Sequence, residues 1–315
     1  MATDRTQDTD RRYPQQTQYV RLGLWRIERQ PDPAQTQYLE AIHRFLIPFF
    51  CRIFRTREKE LEPCDILCDR GAATPMLILN RTPIAIRLNV HSTVYWCQVL
   101  FQWSHELGHF FTRQHKPRSR LTQMIAWFEE TFCEALSNLA LEYAADHWSE
   151  CDLTSQNPDY AAAIRTYLSN LLNGHDDVHP PAHDVDASPS IPHSIPRTFP
   201  RSVLRDCVTL EDLANLEKTC TADRDGRMVE RDLLYQHLRR VPSSAATVAR
   251  YARYIHRSSS AQERSLGPLL VDFDRWEAVA TPDQYETLQL LRRIQPNVRE
   301  STKTPRPRLS TIATR

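Results

Sequence analysis

Residues 96–111 read Trp96-Cys97-Gln98-Val99-Leu100-Phe101-Gln102-Trp103-Ser104-His105-Glu106-Leu107-Gly108-His109-Phe110-Phe111. With Val94, the residues Trp96, Val99, Leu100, Trp103, Leu107 and Phe110 cover nearly every side of a helix, which predicts a buried central helix. Ser92 or Thr93 would cap its start, and the polar Lys116-Pro117-Arg118 stretch would break it beyond about Phe111. Within this helix lies H-E-x-x-H. Histidines at i and i+4 leave one face together, so His105 and His109 can share a zinc ion while Glu106 lies beside the open position of the metal. Two satisfied core histidines are the plain alternative, but it gives an apolar helix no reason to hold His, Glu and His together.

The neighbouring segments supply a setting for that helix. Short β-rich runs at 65–68, 76–79 and 84–90 predict a small sheet. The last of these alternates Ile84, Ile86, Leu88 and Val90 and is the expected edge strand for an extended substrate backbone. Gln35 to Phe54 has helical spacing, with Pro48 as an expected kink. After the H-E-x-x-H helix, residues 121–147 carry Ile125, Phe128, Phe132, Ala135, Leu139 and Tyr143 on one stripe, and a further helix is expected over 158–172.

A catalytic zinc needs a third protein ligand and a position left for water. Glu130 is the first candidate, on the next helix with twenty residues between it and His109. Carboxylates inside an apolar helix are costly unless a metal or hydrogen-bonding partner receives them. Glu134 shares a face with Glu130 and is expected to accept the hydrogen bond from the second nitrogen of a ligating histidine. Glu129 is a fallback ligand. His115 is the other candidate, because His105, Glu106, His109 and His115 fall at H-E-x-x-H-x-x-G-x-x-H intervals. Thr112, however, replaces the glycine that permits the sharp turn.

At Trp127-Phe128-Glu129-Glu130-Thr131-Phe132 the sequence resembles the gluzincin metallopeptidases, the group of thermolysin and the aminopeptidase N type enzymes. The latter follow H-E-x-x-H with W-L-N-E-G-F at a similar interval. The resemblance covers about residues 84–145, with Thr131 in place of the Gly, and no G-A-M-E-N string is present. It implies an α+β, zincin-like domain in which a small sheet packs on the H-E-x-x-H helix; the residue pattern beyond Arg201 separately predicts a mainly helical C-terminal region. The resemblance also implies zinc held by His105, His109 and Glu130, and hydrolysis of peptide bonds by a zinc-bound water with Glu106 as general base. Tyr160, Tyr167 and His175 are candidate donors to the oxyanion. The alternative from a different class is a catalytically silent zinc-binding module that acts in interaction or regulation.

Composition sets the outer limits. The chain has 315 residues, 41% hydrophobic and 25% charged, so a soluble globular protein with a sizeable core is expected. Forty Lys and Arg against 39 Asp and Glu give a net charge of +1, which argues against nucleic acid or an anionic membrane as partner and leaves a peptide or protein substrate. Six Gly against 21 Pro, with no G-x-x-x-x-G-K string, argue against phosphate loops. Eight cysteines without an apolar leader suggest reduced thiols in the cytoplasm, and the lone pair Cys64 and Cys68 is a weak metal signal. The expected organisation is a loosely ordered arm (1–35), the zincin-like domain (36–175), a His- and Pro-rich linker (176–200), a helical region (201–296) and a basic tail (297–315). Residues 221–232 resemble a calcium loop but begin with Thr and end with Asp, so an ordinary loop is expected.

Overall fold

A five-stranded sheet forms one layer of the protein. In this computed structural model, residues 18–69, 74–90, 92–120, 124–173, 202–219, 225–257 and 268–296 are described. The strands β1 (Tyr19–Leu22), β2 (Trp25–Glu28), β3 (Cys64–Cys68), β4 (Met76–Ile78) and β5 (Ile84–Leu88) take the order β1-β2-β3-β5-β4. The pairs β1–β2 and β4–β5 are antiparallel, and β2–β3 and β3–β5 are parallel. Helix α1 (Pro33–Ile53) forms the crossover between β2 and β3, as a parallel pair requires. Its N-cap is Asp32, whose side chain accepts from Ala34 N, and Pro33 starts the first turn.

Two sequence expectations change here. Regular structure is present ahead of Pro33: Gly23 at φ +60° and Leu24 form a two-residue turn between β1 and β2, and the resulting hairpin buries Trp25 and Ile27 completely. Trp25 meets His43 of α1 at 5.3 Å and Phe110 at 4.9 Å between ring centroids. The run beginning at Ile84 is an interior strand, because β4 returns antiparallel along it and takes the edge position. Cys64 and Cys68 stand four residues apart on one extended strand, about 13 Å by the strand rise, too far to share an ion.

Helices α2 (Trp96–His115), α3 (Ala126–Asp146) and α4 (Tyr160–Leu172) pack beside the sheet. Helix α2 starts later than expected because Ser92 closes a turn, accepting from Val94 N through Oγ and from Tyr95 N through its carbonyl. It ends at Lys116. Gln102 pins α2 to the sheet by accepting from Asn89 N at 3.0 Å and donating to Asn89 O at 2.8 Å. Helix α3 is buried on all sides, and Thr131 and Ser137 satisfy their hydroxyls on the carbonyls of Trp127 and Cys133. Gly108 lets α2 and α3 approach closely, since a Cβ there would lie 2.8 Å from Cys133 Sγ and 3.2 Å from its Cα.

The C-terminal region comprises α5 (Val203–Asp206), α6 (Leu210–Thr219), α7 (Met228–Arg240), α8 (Ala245–Val248), a two-stranded sheet of β6 (Ile255–Arg257) and β7 (Leu269–Val271), α9 (Phe273–Glu277) and α10 (Tyr285–Ile294). Its buried side chains belong to one apolar cluster with those of the rest, from Trp25 to Ile294. Glu217 of α6 even caps α3, accepting from Ala126 N at 2.8 Å. The histidines expected in a linker (His175, His179, His183 and His193), the first four residues of the calcium-like loop (221–224) and the basic tail lie outside the described residues, and the rest of that loop is the turn Asp225–Arg227 and the start of α7. Among those described, no helix is long and apolar enough to cross a membrane.

Candidate metal centre

His105 and His109 project from one face of α2, and Glu130 meets them from the first turns of α3. His105 Nε2 lies 3.2 Å from one carboxylate oxygen of Glu130, and His109 Nε2 lies 3.4 Å from the other. The three residues bring their ligand atoms within 4.8 Å of one another. A tetrahedral zinc with bonds of about 2.1 Å separates its ligands by about 3.4 Å, so this nitrogen, nitrogen and oxygen set fits the ion. The electrostatics agree in sign. Burial opposes ionisation of Glu130, but His105 and His109 outweigh it and hold the carboxyl well below its usual range. Burial likewise opposes a charge on His109, yet Cys133, Glu129 and Glu130 raise its pKa. Positive charge is favoured at the meeting point of the three side chains.

The second nitrogen of His109 faces Glu129, with Nδ1 and Oε1 3.1 Å apart. Lys116 Nζ donates to Glu129 Oε2 at 2.7 Å, and the Tyr251 hydroxyl donates to the same oxygen. All three are buried, and the carboxyl is held below its usual range by His109 and Lys116 against the cost of burial. Burial pushes the neighbouring Cys133 thiol up to about 12, against the pull of His109.

The carboxylate at the second nitrogen of His109 is therefore Glu129, not Glu134. One turn on, Glu134 faces Arg227, whose Nη2 donates to it at 2.6 Å in a pair withdrawn from solvent. Glu129 stands outside the His105, His109 and Glu130 cluster, its oxygens engaged by His109, Lys116 and Tyr251. His115 stands outside the cluster, stacked on Phe54 at 5.9 Å at the far end of α2. Neither ligand nor exposed loop residue, it is largely buried, and burial with Arg250 and Arg253 nearby lowers its pKa to about 4.

The chain matches no family model, no curated protein and no solved structure. The site must be read from its own geometry.

His105, His109, Glu130 and Glu106 line a cavity of about 730 Å³ whose opposite wall is β4 and its flanks, Thr74 to Leu79. Glu106 is 3% exposed, and burial raises its pKa although the Leu77 backbone N–H bonds to it and the two histidines pull the other way. Of the expected oxyanion donors, Tyr160 accepts from Cys97 N at 3.2 Å and packs between Trp96 and Trp148, away from the cavity. Tyr167 lies edge-on behind Phe101, and His175 is outside the described residues. Sequence reasoning missed Lys116, Tyr251 and Arg227. Only Lys116 carried a local signal, as a cation at the end of the helix that holds the histidines.

Proposed function

We propose that this chain is a zinc-dependent metallopeptidase with a zincin-like site. The reading rests on one observation: Glu106 lines the same cavity as a three-ligand cluster, beside a strand edge. A structural zinc is normally closed by four protein ligands and has no use for a buried base. That favours hydrolysis over a silent zinc module. The free thiols among the described cysteines fit a cytoplasmic setting.

Bound there, zinc supplies a Lewis acid that polarises a carbonyl and lowers the pKa of water toward about 7. Glu106 accepts a proton from the attacking water and passes it to the leaving nitrogen, so a C–O bond forms as the C–N bond breaks. Among the described strands β4 pairs only with β5, so its outer edge suits an extended peptide backbone. Met76 and Leu79, 42% and 45% exposed, add apolar contact beside it.

Metal analysis of the purified protein, with peptide hydrolysis before and after chelation, tests the reading. Glu106→Gln is expected to keep the metal and lose hydrolysis by about 10²- to 10⁴-fold. Undiminished hydrolysis in that variant would overturn the mechanism.

A further inference from the structure

Arg113 stands one turn beyond His109 on α2, about 6 Å along the axis, and lines the same cavity. Its Nε and Nη1 are buried and meet no acceptor. Nη2 lies 3.5 Å from Glu62, whose side chain is 44% exposed. Donors withdrawn from water without an acceptor are costly, by about 1–3 kcal/mol for each group.

Other charged groups around the cavity have their partners. Lys116 is bound to Glu129, Glu134 to Arg227, and Glu130 to the histidines. Arg113 is the cation of the described cavity lining that meets no buried carboxylate, since its one acidic neighbour, Glu62, is 44% exposed. Nε and Nη1 lie beneath the surface, so Nη2, which meets Glu62 with one N–H at most, is the group that can present an N–H to a carboxylate in the cavity.

We propose that Arg113 is a carboxylate-recognition element of the substrate cavity, engaging the free C-terminus of a peptide. This rests on the peptidase reading for its consequence. The offset of about 6 Å along the helix axis corresponds to about two residues of extended chain, so a short C-terminal leaving fragment is expected. The protein then trims chain ends. A glutamate or aspartate side chain offers the same group, and the test separates the two sources.

The test uses the full-length Glu106→Gln protein loaded with zinc, so that bound peptides stay intact, and calorimetry with three ligands. These are acetyl-Leu-Leu with a free carboxylate, acetyl-Leu-Leu amide and acetyl-Leu-Glu amide. The free acid is expected to bind about 10- to 100-fold more tightly than its amide, the value of a charge-assisted bond. Arg113→Gln should abolish that preference and Arg113→Lys keep part of it, with zinc content unchanged in both. Should Arg113→Gln fail to fold, Arg113→Lys and the acid-to-amide ratio of the parent carry the decision. Equal binding of acid and amide, no binding of either, or a preference that survives Arg113→Gln overturns the proposal. Tighter binding of the glutamate amide than of the free acid overturns the chain-end assignment. Hydrolysis by the unsubstituted protein is scored separately. Acid preference without hydrolysis sinks the peptidase reading alone, and hydrolysis indifferent to the chain end sinks this proposal alone.

Discussion

The two walls of the cavity are built on opposite terms. On the α2–α3 side, Glu129, Lys116 and Tyr251 are locked in a buried network, and each side chain has a fixed partner. On the β4 side the wall is a three-residue strand at the edge of its sheet, with exposed apolar side chains and backbone. Packing fixes the chemistry on the helices to fractions of an ångström, as metal ligation requires. The strand offers adaptable contact. Substitutions on the helical wall should therefore abolish function, and those on the strand wall should only grade it.

The largest effect on metal binding is expected from Glu130→Ala, which leaves two histidines and should remove most of the zinc affinity. Glu134→Ala should leave that affinity nearly intact, because its carboxylate faces Arg227, and should cost stability by stranding a buried guanidinium. Titration against a competing chelator, with urea unfolding of each variant, reads both. Tight zinc binding by Glu130→Ala would break the contrast between the walls at its strongest point.

Glu129→Gln comes next. It keeps the shape of the side chain but weakens the bond to His109 Nδ1 and the pairing with Lys116, so zinc affinity should fall about 10- to 100-fold. Tyr251→Phe removes one donor to the same carboxylate and should cost less. Equal affinities in the parent and both variants would reduce this network to packing.

The helical wall was legible where its chemistry is local. His105 and His109 lie within one turn, and the buried acids of α3 stand out in an apolar run. What each acid meets is a tertiary fact. Glu129 is bound by Lys116 from 13 residues away and by Tyr251 from 122, and Glu134 by Arg227 from 93. No periodicity within α3 distinguishes them. The hairpin at Tyr19–Glu28 escaped notice for a different reason: its strands have four residues each, and Gly23-Leu24 is not among the strong turn pairs. The edge was misassigned because strand order is set by pairing, and alternation alone does not reveal it.

Beneath both walls, His43 lies between Trp25 of the sheet and Trp103 of α2, at 5.3 and 6.0 Å. Burial, aided by Arg44, lowers its pKa from 6.5 to about 4. The unfolded chain binds the extra proton between those values, so stability is full above about pH 6.5 and falls as pH drops toward 4, by up to about 3 kcal/mol. His115 acts in the same window and direction. His237 adds to this trend and Glu217, raised to about 7, opposes it, so the test is the difference from the parent: His43→Phe should lose less stability than the parent in urea unfolding from pH 7 to 4.5. An unchanged slope would mean that His43 gains no proton on unfolding.

The smallest effect belongs to the strand wall. Met76 is the first residue of β4, 42% exposed at the cavity, and its backbone pairs with Arg87 of β5 whatever its side chain. Met76→Ser should change stability by no more than about 0.5 kcal/mol, because little buried surface is lost. Zinc affinity should stay at the parent value, since no ligand and no partner of a ligand is touched. A substrate lying along β4 loses one apolar contact, about 1 kcal/mol, so KM should rise a few-fold while kcat holds. The opposite split, with kcat lowered and KM unchanged, would put Met76 among the residues that act on the transition state. The strand would then belong to the same rigid apparatus as the helices, and the division between the walls would fail.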